Sequence, residues 1–582
     1  MDAERRALNV TAMASSACLA FTLVFFSPLQ IFFGNAFDFP FGFAAILPIL
    51  AILALSLSAI VFLVSFSFRK WHERLAALAF CLGFLLWVQG NLMPWVYGPL
   101  DGRPISWPQF RTQGWLEALA WVLILLLVFF RPRPVFRLAR GGSLFLLCVQ
   151  LVSLLVTGLS APEVEGKNKL VFDVGDRNVF SRRRNVIILV VDTFQSDAFA
   201  EILGQEPGLK DNFKDFTYFR NCLGGYTGTF FSVPLILTGR YWDGAQSIKE
   251  YTKTAYLSWS LPYVLKNSGY RVGLYPQQSP DIYYGKRVAS NLVARKGVRA
   301  ADMAFLLDLA LFRQLPHFLK KMIYNDRAWL LSRWFAGPRP SPAGGKRKPR
   351  PRRRTYMDLN KDLEEVEALE AGMTLIDRPV FKYLHWRGLH RPLARNEDCE
   401  YEPLAYDRPN YLRQARCILR LLGRFLAKLK EEGIYDSSLI VIVGDHGVRM
   451  ESIGIRYETG PGCWRLDDRG DPATIIRQAA IPVLLVKKIA AAQPEMKVSD
   501  APAVLSDIPR TVFTEIGVNS SGPGISLFSL AENQGRPRPF YLVVGDIQHG
   551  AELKKIRVDG FAWDPGSWRE RPPGNDAFAD GD

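Results

Sequence analysis

Cysteine and histidine are scarce in this sequence. Its 582 residues include seven cysteines and six histidines. So few cysteines exclude a small scaffold that depends on disulfides for its stability. Acidic residues are the minority charge, with 56 against 72 basic residues and a net charge of +16. Hydrophobic residues make up 49% of the chain and aromatic residues 13%, which excludes a disordered or fibrous protein.

The apolar residues are concentrated near the N-terminus. Five apolar runs follow one another there, at about 11–33, 43–68, 75–97, 115–130 and 143–160. A helix of about 20 apolar residues crosses the hydrocarbon core of a bilayer. We therefore predict a transmembrane domain of five helices over residues 1–160. The fourth run is short and contains Glu117.

Basic residues are distributed unevenly between the loops of this domain. Nine of them share one predicted side: Arg5, Arg6, Arg69, Lys70, Arg74, Arg131, Arg133, Arg137 and Arg140. The opposite loops contain only Arg103 and Arg111. Because basic loops stay in the cytoplasm, we predict a multi-pass protein of the bacterial inner (plasma) membrane. Everything after residue 160 is then periplasmic or extracellular. The alternative is that one of the five runs does not cross the membrane, which would place the rest of the chain inside the cell.

Four cysteines lie in the part of the chain beyond the apolar runs: Cys222, Cys399, Cys417 and Cys463. An even number permits two disulfides, in any of three pairings. Burial as free thiols is an equal alternative, so the sequence leaves the disulfide pattern open.

Residues 161–184 are polar and mixed in charge, and we interpret them as a linker. Buried strands are predicted for six apolar stretches: Asn185–Val191, Arg271–Tyr275, Val380–Leu384, Leu439–Val443, Ile481–Val486 and Phe540–Val544. Helices are predicted between them at Leu261–Ser268 and Tyr411–Glu432. Strands that alternate with helices indicate an α/β domain with a largely parallel central sheet, and ligands bind such sheets at the carboxyl ends of the strands.

Residues 337–354 form a separate kind of segment. They contain eight basic residues, no acidic residue and several prolines and glycines, which favours a disordered basic insertion. Its predicted location outside the cell argues against nucleic-acid binding and favours anionic lipid headgroups or an acidic polymer. A solvated insertion without a role is the alternative. Residues 565–582 are predicted to be a loose tail.

Carboxylates follow two of the predicted strands directly. Asp192 comes after one, and Asp445 and His446 come after another. Two carboxylates and an imidazole form a mixed oxygen and nitrogen site suited to a divalent ion. Each motif alone also fits an ordinary helix N-cap or a chance tripeptide.

Two further segments carry reactive side chains. Thr229 lies in a glycine-rich turn before a predicted helix, where a metal-activated hydroxyl can act as a nucleophile; ordinary helix capping is the alternative. His385 and His390 follow a predicted strand. Two of only six histidines in one segment favour a site over a structural role.

In this order, the segments resemble the alkaline phosphatase superfamily and, within it, the sulfatase-like branch. Asn185–Asp192 is similar to the opening strand with its first metal ligand, Gly433–Gly447 to the second metal strand, and Ser506–Thr511 to a late helix. The resemblance implies a sulfatase-like catalytic domain over residues 185–564, interrupted by the basic insertion.

An anchor of five spans with an outside catalytic domain is similar to the membrane phosphoethanolamine and phosphoglycerol transferases, which include lipoteichoic-acid-synthase-like proteins. The segment from Thr227 to Pro234 matches the T-x-T-x-x-S-V-P motif of the phosphoethanolamine transferases, whose nucleophile falls on Thr229. His385 and His390 match their H-x-x-G-x-H motif. Thr229 also lies nine residues before Thr238, which begins a T-G-R segment. In sulfatases the modified residue precedes the T-G-R segment by the same spacing.

The sequence departs from these families at three positions. Phe231 and Val233 stand where formylglycine formation requires proline and arginine, which argues against desulfation. Asp192 replaces the first glutamate ligand of the transferases. The resemblance implies one divalent metal ion, zinc or manganese, with magnesium or calcium as alternatives. Four residues are its predicted ligands: Asp192, Thr229, Asp445 and His446.

The resemblance implies a transferase that takes a phospho-group from a membrane lipid donor through a covalent intermediate on Thr229. The acceptor is an envelope glycan or lipid, and His390 and His385 would bind phosphate oxygens or protonate the leaving group. One alternative is a hydrolase of sulfate or phosphate esters. Another is an inactive regulator that only binds lipid.

Overall fold

The computed structural model describes most of the chain. The described residues are 2–35, 39, 41–93, 97, 105, 107–160, 170–277, 285–294, 297–325, 328–335, 361–448, 454–460, 463–467, 472–519, 522–544 and 552–570. They divide into two compact units, Met1–Val171 with Ala294–Asp358, and Phe172–Val293 with Leu359–Asp582. The basic insertion at 337–354 lies outside the described residues.

The helices are, in chain order, α1 (Asp2–Ala20), α2 (Ser27–Gly34), α3 (Phe43–Ser67), α4 (His72–Asn91), α5 (Arg111–Phe130), α6 (Pro132–Ser160), α7 (Ser196–Gln205), α8 (Thr229–Thr238), α9 (Ile248–Trp259), α10 (Leu261–Asn267), α11 (Gly285–Val288), α12 (Ala300–Gln314), α13 (His317–Ile323), α14 (Lys361–Ala371), α15 (Arg408–Glu431), α16 (Pro472–Ala480) and α17 (Ile508–Ile516). The strands are β1 (Leu170–Phe172), β2 (Val179–Ser181), β3 (Asn185–Val191), β4 (Thr217–Phe219), β5 (Arg271–Tyr275), β6 (Leu292–Ala294), β7 (Tyr324–Asn325), β8 (Ala328–Trp329), β9 (Thr374–Ile376), β10 (Val380–Trp386), β11 (Ser438–Val443), β12 (Ile455–Gly460), β13 (Cys463–Asp467), β14 (Leu484–Lys487), β15 (Lys497–Ser499), β16 (Arg538–Val544), β17 (Glu552–Val558) and β18 (Trp568–Glu570).

The first unit contains, within the described residues, five helical stretches that are long and apolar enough to cross a membrane. They are Arg5–Gly34, Phe43–Ser67, Arg69–Asn91, Trp107–Phe130 and Pro132–Leu159. Each one overlaps a predicted apolar run. The first stretch is continuous through a π-helical turn at Phe21–Phe26, which joins α1 to α2.

A later segment of the chain returns to these helices. Met303, Leu306 and Ala310 of α12 belong to the same buried apolar cluster as Leu29 and Phe32 of α2. This cluster explains why residues 294–358 group with the N-terminal helices, whereas the sequence placed them inside the catalytic domain at 185–564. An apolar helix buries its surface against whatever apolar surface the fold brings to it.

The second unit is built on a seven-stranded sheet with the order β15-β4-β14-β11-β3-β10-β5. The central strands β11, β3, β10 and β5 are parallel, and only β14 runs antiparallel to its neighbours. All seven residues of β3 are buried, as expected for an apolar strand covered on both faces. The prediction of an α/β domain with a largely parallel sheet is therefore confirmed.

Some predicted segments differ in the structure. The stretch predicted as Phe540–Val544 belongs to β16, which pairs with β17 in a separate antiparallel sheet, and β17 in turn pairs with β18. Trp568 of β18 packs against Phe540 with 5.5 Å between the ring centroids. The beginning of the predicted tail is thus a strand, while residues 571–582 lie outside the described residues. Within the predicted linker, Val179–Ser181 pairs with Thr374–Ile376.

One of the pairings that the sequence left open is a disulfide in the structure. Cys399 is bonded to Cys417 of α15, and Cys222 is a buried free thiol. The side chain of Cys463 lies outside the described structure. A disulfide stabilises a protein largely because it restricts the unfolded chain, and it persists in oxidising compartments.

Replacing both Cys399 and Cys417 with serine is expected to destabilise the protein. The bond closes a loop with a sequence separation of 18, for which the free energy of unfolding should fall by about 3 kcal/mol. Thermal unfolding of the full-length protein in detergent, with and without a reducing agent, measures this loss. Cys148→Ser, at an exposed free cysteine, is the matched control. Alkylation of both thiols in the folded, unreduced protein would contradict the bond.

Candidate active site

Three neighbouring strands of the central sheet end at the same edge. Asp192 follows β3, Asp445 follows β11, and His385 is the penultimate residue of β10. In the parallel register, His385 of β10 pairs with Val190 of β3, and Val443 of β11 pairs with the same Val190 from the other side. One ligand atom from each of Asp192, His385 and Asp445 therefore lies within 4.8 Å of the other two.

The side chains at this edge are buried without their full complement of hydrogen bonds. Asp192 Oδ1, Asp445 Oδ2 and His385 Nε2 have no hydrogen-bond partner within the described residues. Burial, together with the charge of Asp445, raises the pKa of Asp192 well above its usual range. Buried charges without partners are costly unless a cation neutralises them. This arrangement fits a divalent ion.

Thr229 and His446, the other two predicted ligands, lie next to these carboxylates. Thr229 Oγ1 lies 3.3 Å from His446 Nε2. The same nitrogen lies 3.8 Å from Asp192 Oδ1 and 3.5 Å from Asp445 Oδ2. His446 Nδ1 donates a hydrogen bond to the Gly447 carbonyl at 2.6 Å, which leaves the Nε2 lone pair directed to the site. Ligands about 2.1 Å from a tetrahedral ion are separated by roughly 3.4 Å, so these spacings suit the four predicted ligands.

Local backbone geometry explains why small residues flank these side chains. A Cβ atom at Gly447 would lie 1.9 Å from the Gln478 carbonyl, and one at Gly444 would lie 2.5 Å from the Phe194 carbonyl. Glycine is therefore required on both sides of Asp445 and His446. The Asp445 carboxylate in turn accepts hydrogen bonds from the backbone amide of Thr193 at 3.1 Å and from the backbone amide of His446 at 2.9 Å.

A buried tyrosine supports the turn that carries Asp192. Thr193, the next residue, has a positive φ of 57°, a conformation that is strained for a β-branched residue. The Tyr411 hydroxyl donates to the Thr193 carbonyl at 2.6 Å and accepts from the Gln195 amide at 3.0 Å. The sequence contains no motif that identifies Tyr411, because it lies within the apolar face of α15.

The two histidines of the H-x-x-G-x-H segment are held differently. His385 Nδ1 lies 3.2 Å from the Tyr383 hydroxyl, and burial lowers the pKa of His385 to about 3. His390 Nδ1 donates to the Arg391 carbonyl at 2.7 Å, and burial lowers the pKa of His390 to about 4. Both imidazoles are neutral at neutral pH. His390 makes no hydrogen bond to Thr229, Asp192 or Asp445 within the described residues.

An acidic residue that the sequence did not identify organises the loop between these histidines. Asp362, near the start of α14, accepts hydrogen bonds from the backbone amides of Arg387 and Gly388, both at 2.8 Å. Gly388 has a φ of 56°, and a Cβ there would lie 2.7 Å from the Asp192 carbonyl. Asp362 therefore fixes the loop against the backbone of Asp192.

Asp362→Asn is expected to lower kcat more than it changes KM. An amide retains only one acceptor oxygen, so one buried backbone amide loses its partner, at a cost of about 1–3 kcal/mol in loop stability. We expect kcat to fall by roughly 10-fold to 100-fold, in the range for residues that orient a site. Steady-state kinetics measure the split between kcat and KM. Glu367→Gln, at an exposed position of the same helix, is the control, and equal losses in both variants would contradict this role.

Comparisons with known proteins identify the family of the chain. Residues 184–518, more than half of the chain, match the sequence model of the sulfatase family. Three solved structures are similar. Two are phosphonate monoester hydrolases, one from Agrobacterium radiobacter (15% identity, 66% of this chain and 88% of that chain, TM-score 0.39) and one from Silicibacter pomeroyi (16% identity, 65% and 87%, TM-score 0.36). The third is a protein of the alkaline phosphatase superfamily from Vibrio parahaemolyticus (16% identity, 70% and 85%, TM-score 0.37). No curated protein matches the chain significantly. The chain belongs to the sulfatase family and is an enzyme with its hydrolase-like fold.

Proposed function

We propose that this protein is a membrane-anchored, metal-dependent transferase. It moves a phosphorylated headgroup, of the phosphoethanolamine or phosphoglycerol type, from a membrane lipid to an envelope lipid or glycan. The position of Thr229 carries this proposal, because its hydroxyl lies 3.3 Å from His446 Nε2 beside two buried carboxylates. A hydroxyl beside an imidazole and a metal-binding carboxylate pair is the arrangement of an activated nucleophile.

The residues around Thr229 support phosphoryl transfer over desulfation. Phe231 and Val233 occupy the positions where formylglycine formation needs proline and arginine, so an unmodified hydroxyl is the nucleophile. Thr229 is the first residue of α8. Backbone N–H groups at the start of a helix favour a phosphoryl group.

Asp192, Asp445, His446 and Thr229 would hold the ion, which lowers the pKa of a bound hydroxyl and neutralises phosphoryl charge. In the first step, Thr229 Oγ1 forms a bond to phosphorus while the bond to the diacylglycerol oxygen breaks. The threonine proton passes to water. His390 Nε2, which its Arg391 hydrogen bond leaves available, relays a proton from water to the diacylglycerol oxygen. In the second step the acceptor hydroxyl forms a bond to phosphorus while the bond to Thr229 breaks; His390 Nε2 takes the acceptor's proton, and Thr229 recovers a proton from water.

His385 has a separate role in this scheme. If the Tyr383 hydroxyl donates to His385 Nδ1, the neutral ring carries its proton on Nε2. That nitrogen has no partner within the described residues and can donate to a phosphoryl oxygen. His385 thus binds the transferred group in the neutral form that its lowered pKa favours.

Two observations support placing the enzyme domain outside the cytoplasm. Within the first unit, α12 contacts α4 at Gly90, near its end, and α13 contacts α5 at Glu117, near its start. Arg74 and Arg131 lie at the opposite ends of those two helices. Under the positive-inside rule the contacting end is external. The Cys399–Cys417 disulfide is consistent with an oxidising compartment.

Headgroup-labelled phosphatidylethanolamine and phosphatidylglycerol test the proposal. The full-length protein in nanodiscs is incubated with each lipid and with total envelope lipid as the acceptor. A transferase releases diacylglycerol and moves the label to a new lipid or glycan. Release of free headgroup without a labelled acceptor would instead indicate a hydrolase, which the family's fold also favours. No reaction with either donor would contradict the proposed transferase.

A further inference from the structure

We propose that the described residues 297–325 and 328–335, here called the interfacial segment, lie in the headgroup layer of the bilayer and bind anionic lipid. The inference rests on the membrane embedding of the N-terminal helices proposed above. It concerns a surface separate from the catalytic site. The argument depends on how the segment is docked, on what it leaves exposed and on its charge.

One side of the interfacial segment is fixed to the membrane helices. Arg313 Nε donates to the Gly90 carbonyl at 2.9 Å, and Gln314 Nε2 donates to the Thr22 carbonyl at 3.1 Å. The His317 amide donates to Glu117 Oε2 at 3.2 Å. A Cβ at Gly114 would lie 2.2 Å from the His317 ring. Two of these polar contacts lie near the end of α4 and the start of α5, and the contact with Thr22 lies in the π-helical turn of the first span.

The segment also exposes four large apolar side chains. Phe318 is 45% exposed, Met322 67%, Trp334 75% and Phe335 52%. Removing such apolar surface from water is favourable, and lipid can cover it. Tryptophan and phenylalanine next to the ends of membrane spans are typical of residues at the interface between lipid and water.

Basic residues alternate with these apolar anchors. Lys321 and Arg333 are exposed, and the Arg333 guanidinium lies 5.7 Å from the centre of the Trp334 ring. Eight further basic residues follow in the sequence between 339 and 354. Positive charge beside apolar anchors is complementary to anionic headgroups. A second copy of this chain would have to present a matching acidic surface, so an anionic lipid is the occupant that the charge favours.

Photo-crosslinking in nanodiscs tests this inference. Phe335→p-benzoylphenylalanine in the full-length protein is irradiated in phosphatidylcholine nanodiscs with and without phosphatidylglycerol, and intact mass measures lipid adducts. Leu55→p-benzoylphenylalanine, at a 71% exposed position of α3, reports membrane embedding. We expect lipid adducts at both positions. At position 335 alone, the yield of phosphatidylglycerol adduct per available lipid should exceed that of phosphatidylcholine by about tenfold.

Charge reversal provides the matched comparison. Lys321→Glu with Arg333→Glu should remove the preference for phosphatidylglycerol at position 335 and leave position 55 unchanged. Adducts at 55 without adducts at 335, equal yields from both lipids, or a protein–protein adduct at 335 would each overturn the inference while preserving the embedding. Absence of adducts at both positions would overturn the embedding itself, whatever the result of the headgroup-transfer assay.

Discussion

Thr229→Ala is expected to abolish turnover and leave the fold intact. The variant removes the atom that forms the bond to phosphorus, and loss of a nucleophile lowers kcat by at least about 1,000-fold in enzymes that use one. The fold should survive because Thr229 is only partly buried and the N-cap of α8 is Gly228, so the Thr229 hydroxyl is not the cap of this helix. Headgroup transfer measures the loss, and thermal unfolding checks the fold.

Two further variants separate the nucleophile from its surroundings. Thr229→Ser keeps the hydroxyl and should retain activity within about tenfold of the native enzyme. Thr254→Ala makes the same change at an exposed position of α9 and should have no effect. Intact mass after exposure to the donor lipid should show a phospho-group on native Thr229. Full activity of Thr229→Ala would refute the covalent mechanism.

Metal removal should have the second large effect, on both activity and stability. An ion present at about 1,000 times its Kd stabilises the folded protein by roughly 4 kcal/mol. A chelator should therefore stop turnover and lower the melting temperature, and zinc or manganese should restore both. Asp192→Asn and Asp445→Asn should lose the bound metal, as measured by elemental analysis of the purified protein.

Asp192→Asn should have opposite effects on stability with and without metal. In the metal-free protein, burial and Asp445 raise the pKa of Asp192. A raised carboxyl pKa contributes stability below about pH 4, which is the pKa of this group in the unfolded protein. The contribution is lost as pH rises through the pKa of the group in the folded protein. Chelated native protein should therefore lose stability as pH rises above about 4. Chelated Asp192→Asn lacks this loss and should be the more stable protein at pH 8.

When metal is added at pH 8, the native protein should become more stable than Asp192→Asn, because only the native protein gains the free energy of metal binding. Glu367→Gln, an exposed acidic residue, should behave like the native protein under both conditions. His385→Gln distinguishes the two imidazoles: it should keep the metal if His385 binds phosphate, whereas His446→Gln should lose it. A chelated Asp192→Asn that is less stable than the chelated native protein at pH 8 would contradict the electrostatic explanation.

The strands of the central sheet were predictable where burial on both faces leaves a continuous apolar run. β3 and β5 have the predicted bounds, and β10 extends the predicted strand by two residues. The antiparallel direction of β14 was not predictable, because an apolar strand has the same composition in either direction. The packing of α12 against the N-terminal helices was also not predictable, since apolar residues such as Leu306 do not specify which apolar surface they will cover.

The site was predictable to the extent that motifs mark it. Asp192, Thr229, Asp445 and His446 were identified from their positions after strands or before a helix, and the structure brings them together. The closeness of His385 to both carboxylates depends on β10 lying beside β3, and strand order does not appear in a sequence. Asp362 and Tyr411 act through backbone contacts that carry no motif.

The return of the interfacial segment to the N-terminal helices has a consequence for producing the enzyme domain alone. A fragment that begins after Ser160 would contain Met303 and Leu306 but lack Leu29 and Phe32, with which they share a core. Their apolar surface would then face water and promote aggregation. Truncation at the N-terminus is therefore insufficient, and a soluble fragment also requires excision of residues 297–335 from within it.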